Sequence, residues 1–259
     1  MELSPDFYRL DFFLLRNDKA MSRSRPKVCA IIPAAGSGTR IGGDIKKQFL
    51  PLKGKPIIVH TLQQFEHCSD IDEVALALPE SAMSEMEAIV ERYRLHKVSK
   101  MVLGGAKRQD SVHNVLNRLT LKESDIVLVH DGVRPFIEIK RITHLLKVCK
   151  EFNAAVLAVQ PKDTIRRSTG GGFFDQTLDR TALWLIQTPQ AFRAKLLVQA
   201  FEKAKKDKFY STDEAALVER LGVKIRIVEG SYDNIKITTP EDLEFGMLIF
   251  ERWHMKGWM

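Results

Sequence analysis

Val28-Cys29-Ala30-Ile31-Ile32-Pro33-Ala34-Ala35-Gly36-Ser37-Gly38-Thr39-Arg40 is the stretch that decides the fold. Its first five residues form a short, wholly apolar run, the pattern of a parallel strand buried on both faces. The residues after it are small and glycine-rich, which leaves the backbone open to close approach by a ligand. Successive N–H groups in such a loop form an anion-binding concavity. Arg40 and, seven residues on, Lys47 add cations that can reach the same anion. A strand feeding this loop predicts a nucleoside triphosphate cradle.

Two better-known phosphate loops do not fit. The dinucleotide fingerprint requires a third glycine three residues after the second, and from Gly36 and Gly38 that position is Ile41. The Walker loop requires Gly, four residues, then Gly-Lys-Ser/Thr; from Gly38 the spacing reaches Gly43 followed by Asp44 and Ile45. A lysine seven residues after an arginine is instead how the loops of nucleotidyltransferases that make activated sugars and alcohols are built. Taken alone, the same spacing would suit a surface turn with two solvated cations.

Working outward, Pro56 to Phe65 has helical spacing with Pro56 as first helical residue, and Val74 to Pro79 reads as a second buried strand. Residues 80–95 read as a helix, Val98 to Leu103 as a third strand ending in Gly104-Gly105, and Asp110 to Leu119 as a helix. Ile126 to His130 is a fourth strand, Lys140 to Phe152 a helix and Ala154 to Val159 a fifth strand. Strands alternating with helices in this way predict an α/β fold with a Rossmann-like, mostly parallel, doubly wound sheet. Ligands are then expected at the carboxyl ends of its strands.

Residues 160–183 break the rhythm. Thr164-Ile165-Arg166-Arg167, the run Gly170-Gly171-Gly172, then Phe173-Phe174 are the pattern of a β-hairpin with a glycine turn, expected to protrude as an arm. Helices near Ala194 to Lys205 and Asp213 to Leu221, a strand from Val223 to Val228, a short strand over Asp233 to Ile237 and a final helix from Glu241 complete the chain. Residues 27–253 are expected to form a single domain, preceded by a poorly ordered extension at 1–26 and followed by a tail at 254–259.

The 259 residues are 44% hydrophobic and 28% charged, enough for one α/β core. Cys29, Cys68 and Cys149 are odd in number and widely spaced, which indicates neither a zinc site nor a disulfide framework and fits a reducing cytoplasm. No apolar run approaches the roughly 20 residues that cross a bilayer, so no membrane partner is expected. The net charge of +7 would suit nucleic-acid binding or an enzyme acting on polyanions. The densest basic cluster, Lys203, Lys205, Lys206 and Lys208, reads as a solvated helix end, so no nucleic-acid partner is expected.

Further chemistry sits where strands end. Gly104-Gly105 with Arg108 and Ser111 offers N–H groups and a hydroxyl to a base or ribose, or forms an ordinary turn. Asp131 follows the fourth strand, where a carboxylate can hold a metal or a substrate hydroxyl, and Arg134 can pair with a phosphate. Ser211 with Glu214 satisfies a capping box, which makes a substrate role for Thr212 secondary, and Thr239-Pro240 is a helix cap. His130 reads as a buried supporting histidine rather than an acid or base.

Assembled, these residues resemble the 2-C-methyl-D-erythritol 4-phosphate cytidylyltransferases of the non-mevalonate isoprenoid pathway. The likeness runs from about Val28 to Phe250. It rests on Pro33 to Arg40, Lys47-Gln48, Gly104-Gly105 with Arg108 and Asp110-Ser111-Val112, and His130-Asp131 with Arg134-Pro135. Asp163-Thr164, Asp179-Arg180, Thr188-Pro189-Gln190, Thr212-Asp213-Glu214-Ala215 and Asp233-Asn234-Ile235-Lys236 extend it.

The resemblance implies that CTP lies on Ala34 to Arg40, with Ala34, Ala35, Gly105 and Ser111 around cytosine. Pro33, Gly36, Ser37, Gly38, Thr39, Gly104 and Gly132 complete the nucleotide side. Arg40, Lys47 and Lys236 would be catalytic, holding the triphosphate and its α-phosphate. Asp131, Arg134, Thr164, Arg180 and Thr212 would contact methylerythritol phosphate. It also implies Mg²⁺ bound through the CTP phosphates rather than on protein metal ligands. The arm would swap across a homodimer, so that Thr164 and Arg180 serve the neighbouring site. The same reaction on another polyol phosphate, such as ribitol 5-phosphate, is the nearest alternative. Lys46 stands where a proline often precedes the catalytic lysine, and Ala106 where relatives often have Asp.

Overall fold

The computed structural model describes residues 25–36 and 46–258. The expected extension therefore lies outside the described residues except at its last two positions, and so do Ser37, Gly38, Thr39 and Arg40 of the loop.

The described elements follow in chain order as β1 (Val28–Pro33), β2 (Pro51–Leu52), β3 (Lys55–Pro56), α1 (Ile57–His67), β4 (Glu73–Leu78), α2 (Met83–Arg92), β5 (Val98–Leu103), α3 (Arg108–Leu116) and β6 (Ile126–Val129). After these come α4 (Ile139–Phe152), β7 (Ala154–Val159), β8 (Arg166–Gly170), β9 (Phe173–Thr177), β10 (Leu185–Arg193), α5 (Ala194–Lys206), α6 (Glu214–Glu219), β11 (Arg226–Glu229) and α7 (Pro240–Met255). The main sheet has the order β11-β7-β10-β6-β1-β4-β5. All its pairings are parallel except those of β10, which runs antiparallel to both β6 and β7.

Side-chain alternation along each strand divides the core between two faces. Ala30, Ile32, Leu76, Leu78 and Leu128 pack with Leu62 and Phe65 of α1, Met86 of α2 and Leu145 of α4. Ile31, Ala75, Ala77, Val127 and Val129 turn the other way, onto Val112 of α3, Phe201 of α5 and Val218 of α6. Helices thus cover both faces, as the near-continuous apolar strands require. A third cluster, Leu52, Ile57, Phe136, Ile237 and Trp253, seats α7 beside the 131–137 segment.

β10 is absent from the sequence expectation. Proline is depleted inside strands because it cannot donate to the ladder, and Pro189 sits mid-strand here. Register shifts between Ile186 and Gln190, so an irregularity in the pairing to β7 takes up that position. Three other expectations are corrected. Residues 233–237 form a turn and an extended segment rather than a strand. Ser211 does not cap α6; Asp213 does, accepting the Ala216 N–H, and Glu214 is turned into the protein instead of closing a capping box. Pro56 ends β3 immediately before α1 instead of opening the helix. At α7 the cap is Thr239 with Pro240 in the first turn, and Asp242 completes the capping box.

Arg166–Gly170 and Phe173–Thr177 pair antiparallel through Gly170, Gly171 and Gly172, all at positive φ, where glycine carries no Cβ penalty. All ten strand residues of this hairpin are exposed. Lys203, Lys205 and Lys206 occupy the last turn of α5, where cations complement the helix dipole.

Candidate active site

The carboxyl ends of β1, β5 and β6 converge, and the chain there has almost no room for side chains. A Cβ added at Gly104 would stand 2.1 Å from Ala35 Cβ, so the loop after β5 lies directly on the loop after β1. Ala34 N–H donates to the Ala77 carbonyl and Gly104 N–H to the Leu78 carbonyl, tying both loops to the end of β4. Gly132 packs against Ile32 and Ala34, where a Cβ would come within 3.3 Å of Ile32. Ala34, Ala35, Gly104, Gly105, Ser111 and Gly132 are thereby brought together. Ser111 is buried, and its hydroxyl accepts the Gly105 N–H and donates to the Lys107 carbonyl. It shapes the loop from within. Buried Gln48 donates to the Ala34 carbonyl at 2.7 Å, which seats Lys47, first residue of a short 3-10 turn, beside the end of β1. Lys46 points to Ser81 instead.

The acidic centre is Asp131, 6% exposed. Its Oδ1 accepts from Arg108 Nε at 3.1 Å; its Oδ2 pairs with Lys236 Nζ at 3.0 Å and Arg134 Nε at 3.3 Å. Burial alone would raise this carboxyl, but Arg108, Lys236 and Arg134 outweigh it and hold Asp131 well below the usual carboxylate range. Arg108 also grips Glu214 through Nη1, at 2.7 and 3.0 Å from its two oxygens, and Glu214 is only 1% exposed. Burial pushes the Glu214 carboxyl up while Arg108 pulls it back. Arg134 Nη1 donates in addition to the Asn234 carbonyl.

His130 connects this centre to β10. Its Nε2 lies 3.0 Å from the Arg134 carbonyl, which can only accept, so Nε2 carries the proton. The bare Nδ1 then accepts from Thr188 Oγ1 at 3.1 Å, while the Thr188 oxygen accepts the Asp131 N–H. Burial pushes the ring down to about 4, so it is neutral in ordinary buffers and orients Asp131 and Arg134 without taking protons.

Thr164 and Arg180 lie elsewhere, on the exposed stretch between β7 and β10, where Arg180 donates to the Lys162 carbonyl. Thr212 is exposed, two residues before Glu214. In the sequence Arg108 reads as part of a strand-to-helix turn facing a base or ribose and Glu214 as a helix cap; in the structure both belong to the Asp131 centre. No local signal points Glu214 at Arg108, which lies 106 positions away.

The 2-C-methyl-D-erythritol 4-phosphate cytidylyltransferase family model matches residues 28–252. The chain belongs to this family. A relative of that name from Geobacillus thermodenitrificans is 45% identical over 220 residues, covering 85% of this chain and 95% of the relative. Another, from Clostridium perfringens, is 45% identical over 217 residues, covering 84% and 96%. Among solved structures, the 4-diphosphocytidyl-2C-methyl-D-erythritol synthase of Anaerococcus prevotii superposes with a TM-score of 0.78 at 32% identity, covering 88% of this chain and 97% of that one. The 2-C-methyl-D-erythritol 4-phosphate cytidylyltransferase of Thermus thermophilus gives 0.72 at 31% identity, covering 87% and 99%. These likenesses support the mostly parallel sheet as the family's fold.

The His130 environment yields a pH prediction. Its folded pKa lies below the ordinary 6.5, so the unfolded chain binds more protons and stability falls as pH drops from about 6.5 to about 4. The loss is on the order of 3 kcal/mol. Buried His60, also shifted down, contributes with the same sign. Urea unfolding across this range should show the slope, and His130→Asn should flatten most of it; an unchanged slope would assign the linkage to other groups.

Proposed function

We propose that this chain joins CTP and 2-C-methyl-D-erythritol 4-phosphate to give 4-diphosphocytidyl-2-C-methyl-D-erythritol and pyrophosphate, in isoprenoid precursor biosynthesis. Family membership over residues 28–252 supports the reaction. The observation that carries it to a site is the Asp131 centre, where three cations meet two carboxylates beside a small-residue loop. The surplus positive charge suits the convergence of two phosphate-bearing substrates.

The acceptor phosphate is already anionic near neutral pH, so it needs no general base. One of its oxygens forms a bond to the α-phosphorus of CTP, the bond from that phosphorus to the β-bridging oxygen breaks, and pyrophosphate leaves with the electron pair. Rate comes from in-line positioning and from stabilising charge on the equatorial and departing oxygens. Lys47 and Arg40 hold the triphosphate, Lys236 the α-phosphate, and Arg134 with Asp131 the acceptor.

Mg²⁺, when bound, neutralises triphosphate charge and orients the leaving group. Among the described residues no cluster of His, Cys, Asp and Glu is placed to hold a metal, and both oxygens of Asp131 already face cations. We place the ion on the nucleotide's own phosphates. Among the described residues no helix is long and apolar enough to cross a membrane. The buried free thiols Cys29, Cys68 and Cys149 suit a cytoplasmic setting.

The hairpin is read as the dimer arm. Phe173 and Phe174 are 76% and 66% exposed at its tip, apolar area that a second subunit would cover, bringing Thr164 and Arg180 to the neighbour's site.

Pyrophosphate release at fixed CTP should be fast with methylerythritol phosphate and at least about tenfold slower with ribitol 5-phosphate. The reverse order would move the assignment to the alternative acceptor. Lys47→Ala should lower kcat by about two or more orders of magnitude with an unchanged melting curve. Replacing both Phe173 and Phe174 by Asp should shift the light-scattering mass from dimer to monomer; a wild-type monomer would remove the arm reading.

A further inference from the structure

Arg108 divides the Asp131 carboxylate. It takes Oδ1, while Arg134 and Lys236 share Oδ2. Its own guanidinium is fixed from behind by Glu214, nearly inaccessible and bound through both oxygens. Glu214 is held in turn at the start of α6, where Asp213 caps the helix and Gln190 of β10 bonds both Asp213 and the Ala215 N–H. A buried carboxylate is costly unless paired, so this arrangement ties the guanidinium to one place.

We infer that Arg108 is a positioning residue for the acceptor side of the reaction: anchored by Glu214, it keeps one oxygen of Asp131 occupied so that the carboxylate cannot close bidentately on Arg134. An aspartate free to rotate would present both oxygens to the Arg134 fork, the strongest arrangement such a pair adopts. Arg134 would then be withdrawn from a phosphate. With Oδ1 held, the Arg134–Asp131 contact is a single one at 3.3 Å, weak enough for an incoming phosphate to replace. Arg108 lies at the first turn of α3, directly after the Gly104-Gly105 loop, so it also fixes Asp131 relative to the nucleotide side.

This inference rests on the proposed reaction and deepens it. Its test is steady-state kinetics with each substrate varied in turn. Arg108→Met combined with Glu214→Gln removes both charges and leaves no buried unpaired carboxylate, so folding survives and a thermal melt checks it. This double variant should lose about tenfold or more in kcat/KM for methylerythritol phosphate, with KM for CTP changed by less than about twofold. Introduced into Asp131→Asn, the same pair of changes should cost less than about twofold further, because its target is gone. An equal rise in KM for CTP, or an undiminished loss in the Asp131→Asn background, would overturn it. Wild-type protein inactive with this acceptor would count against the proposed substrate alone, and the same comparison is then made with the acceptor it does use.

Discussion

A carboxylate buried at the end of a central strand cannot exist without compensation. Asp131 is placed by β6, a strand with no exposed residue, and desolvation there works against its charge. The protein answers with Arg108, Arg134 and Lys236, drawn from three separate segments of the chain. Each cation needs its own anchor. Arg108 has Glu214, Arg134 has the Asn234 carbonyl, and Lys236 follows Asn234, whose side chain donates to the Thr188 carbonyl. Much of the carboxyl edge of the sheet is organised by this one requirement, and the charges it gathers are those a phosphate would seek.

The neighbouring loops after β1 and β5 obey a different rule. There the constraint is steric: Gly104 lies on Ala35 and Gly132 on Ala34, with no room between them for a larger side chain. Close packing of glycine and alanine lets three strand ends approach until their loops touch. Crowded cations on one side and close-packed glycine and alanine on the other give this end of the sheet two unlike halves.

Most of this architecture was legible because its signals are local. Apolar runs bounded by glycine and proline marked β1, β4, β5, β6 and β7 to within a residue or two, and Asp131, Arg134 and Lys236 stand at strand ends or in short motifs. What escaped detection depends on distance. β10 carries a proline that local rules read against a strand, and its place between β6 and β7 follows from tertiary pairing. Glu214 has the spacing of a capping box, yet a partner 106 positions away draws it inward. The Asp233 to Ile237 segment has alternating apolar residues but is held by Asn234 and Trp253 contacts instead of a ladder.

The reversed direction of β10 has a consequence for how the chain is put together. Leu185 lies opposite Val159, so the polypeptide leaves the sheet at the end of β7 and re-enters at the same edge. The intervening 25 residues, 160–184, are therefore a closed excursion, leaving and returning by one doorway. Its length can change without disturbing any strand's register, since nothing in the sheet is threaded through it. An antiparallel strand in an otherwise parallel sheet thus creates a place at the carboxyl end of β7 where new structure can be grafted or exchanged while the core beneath stays as it is.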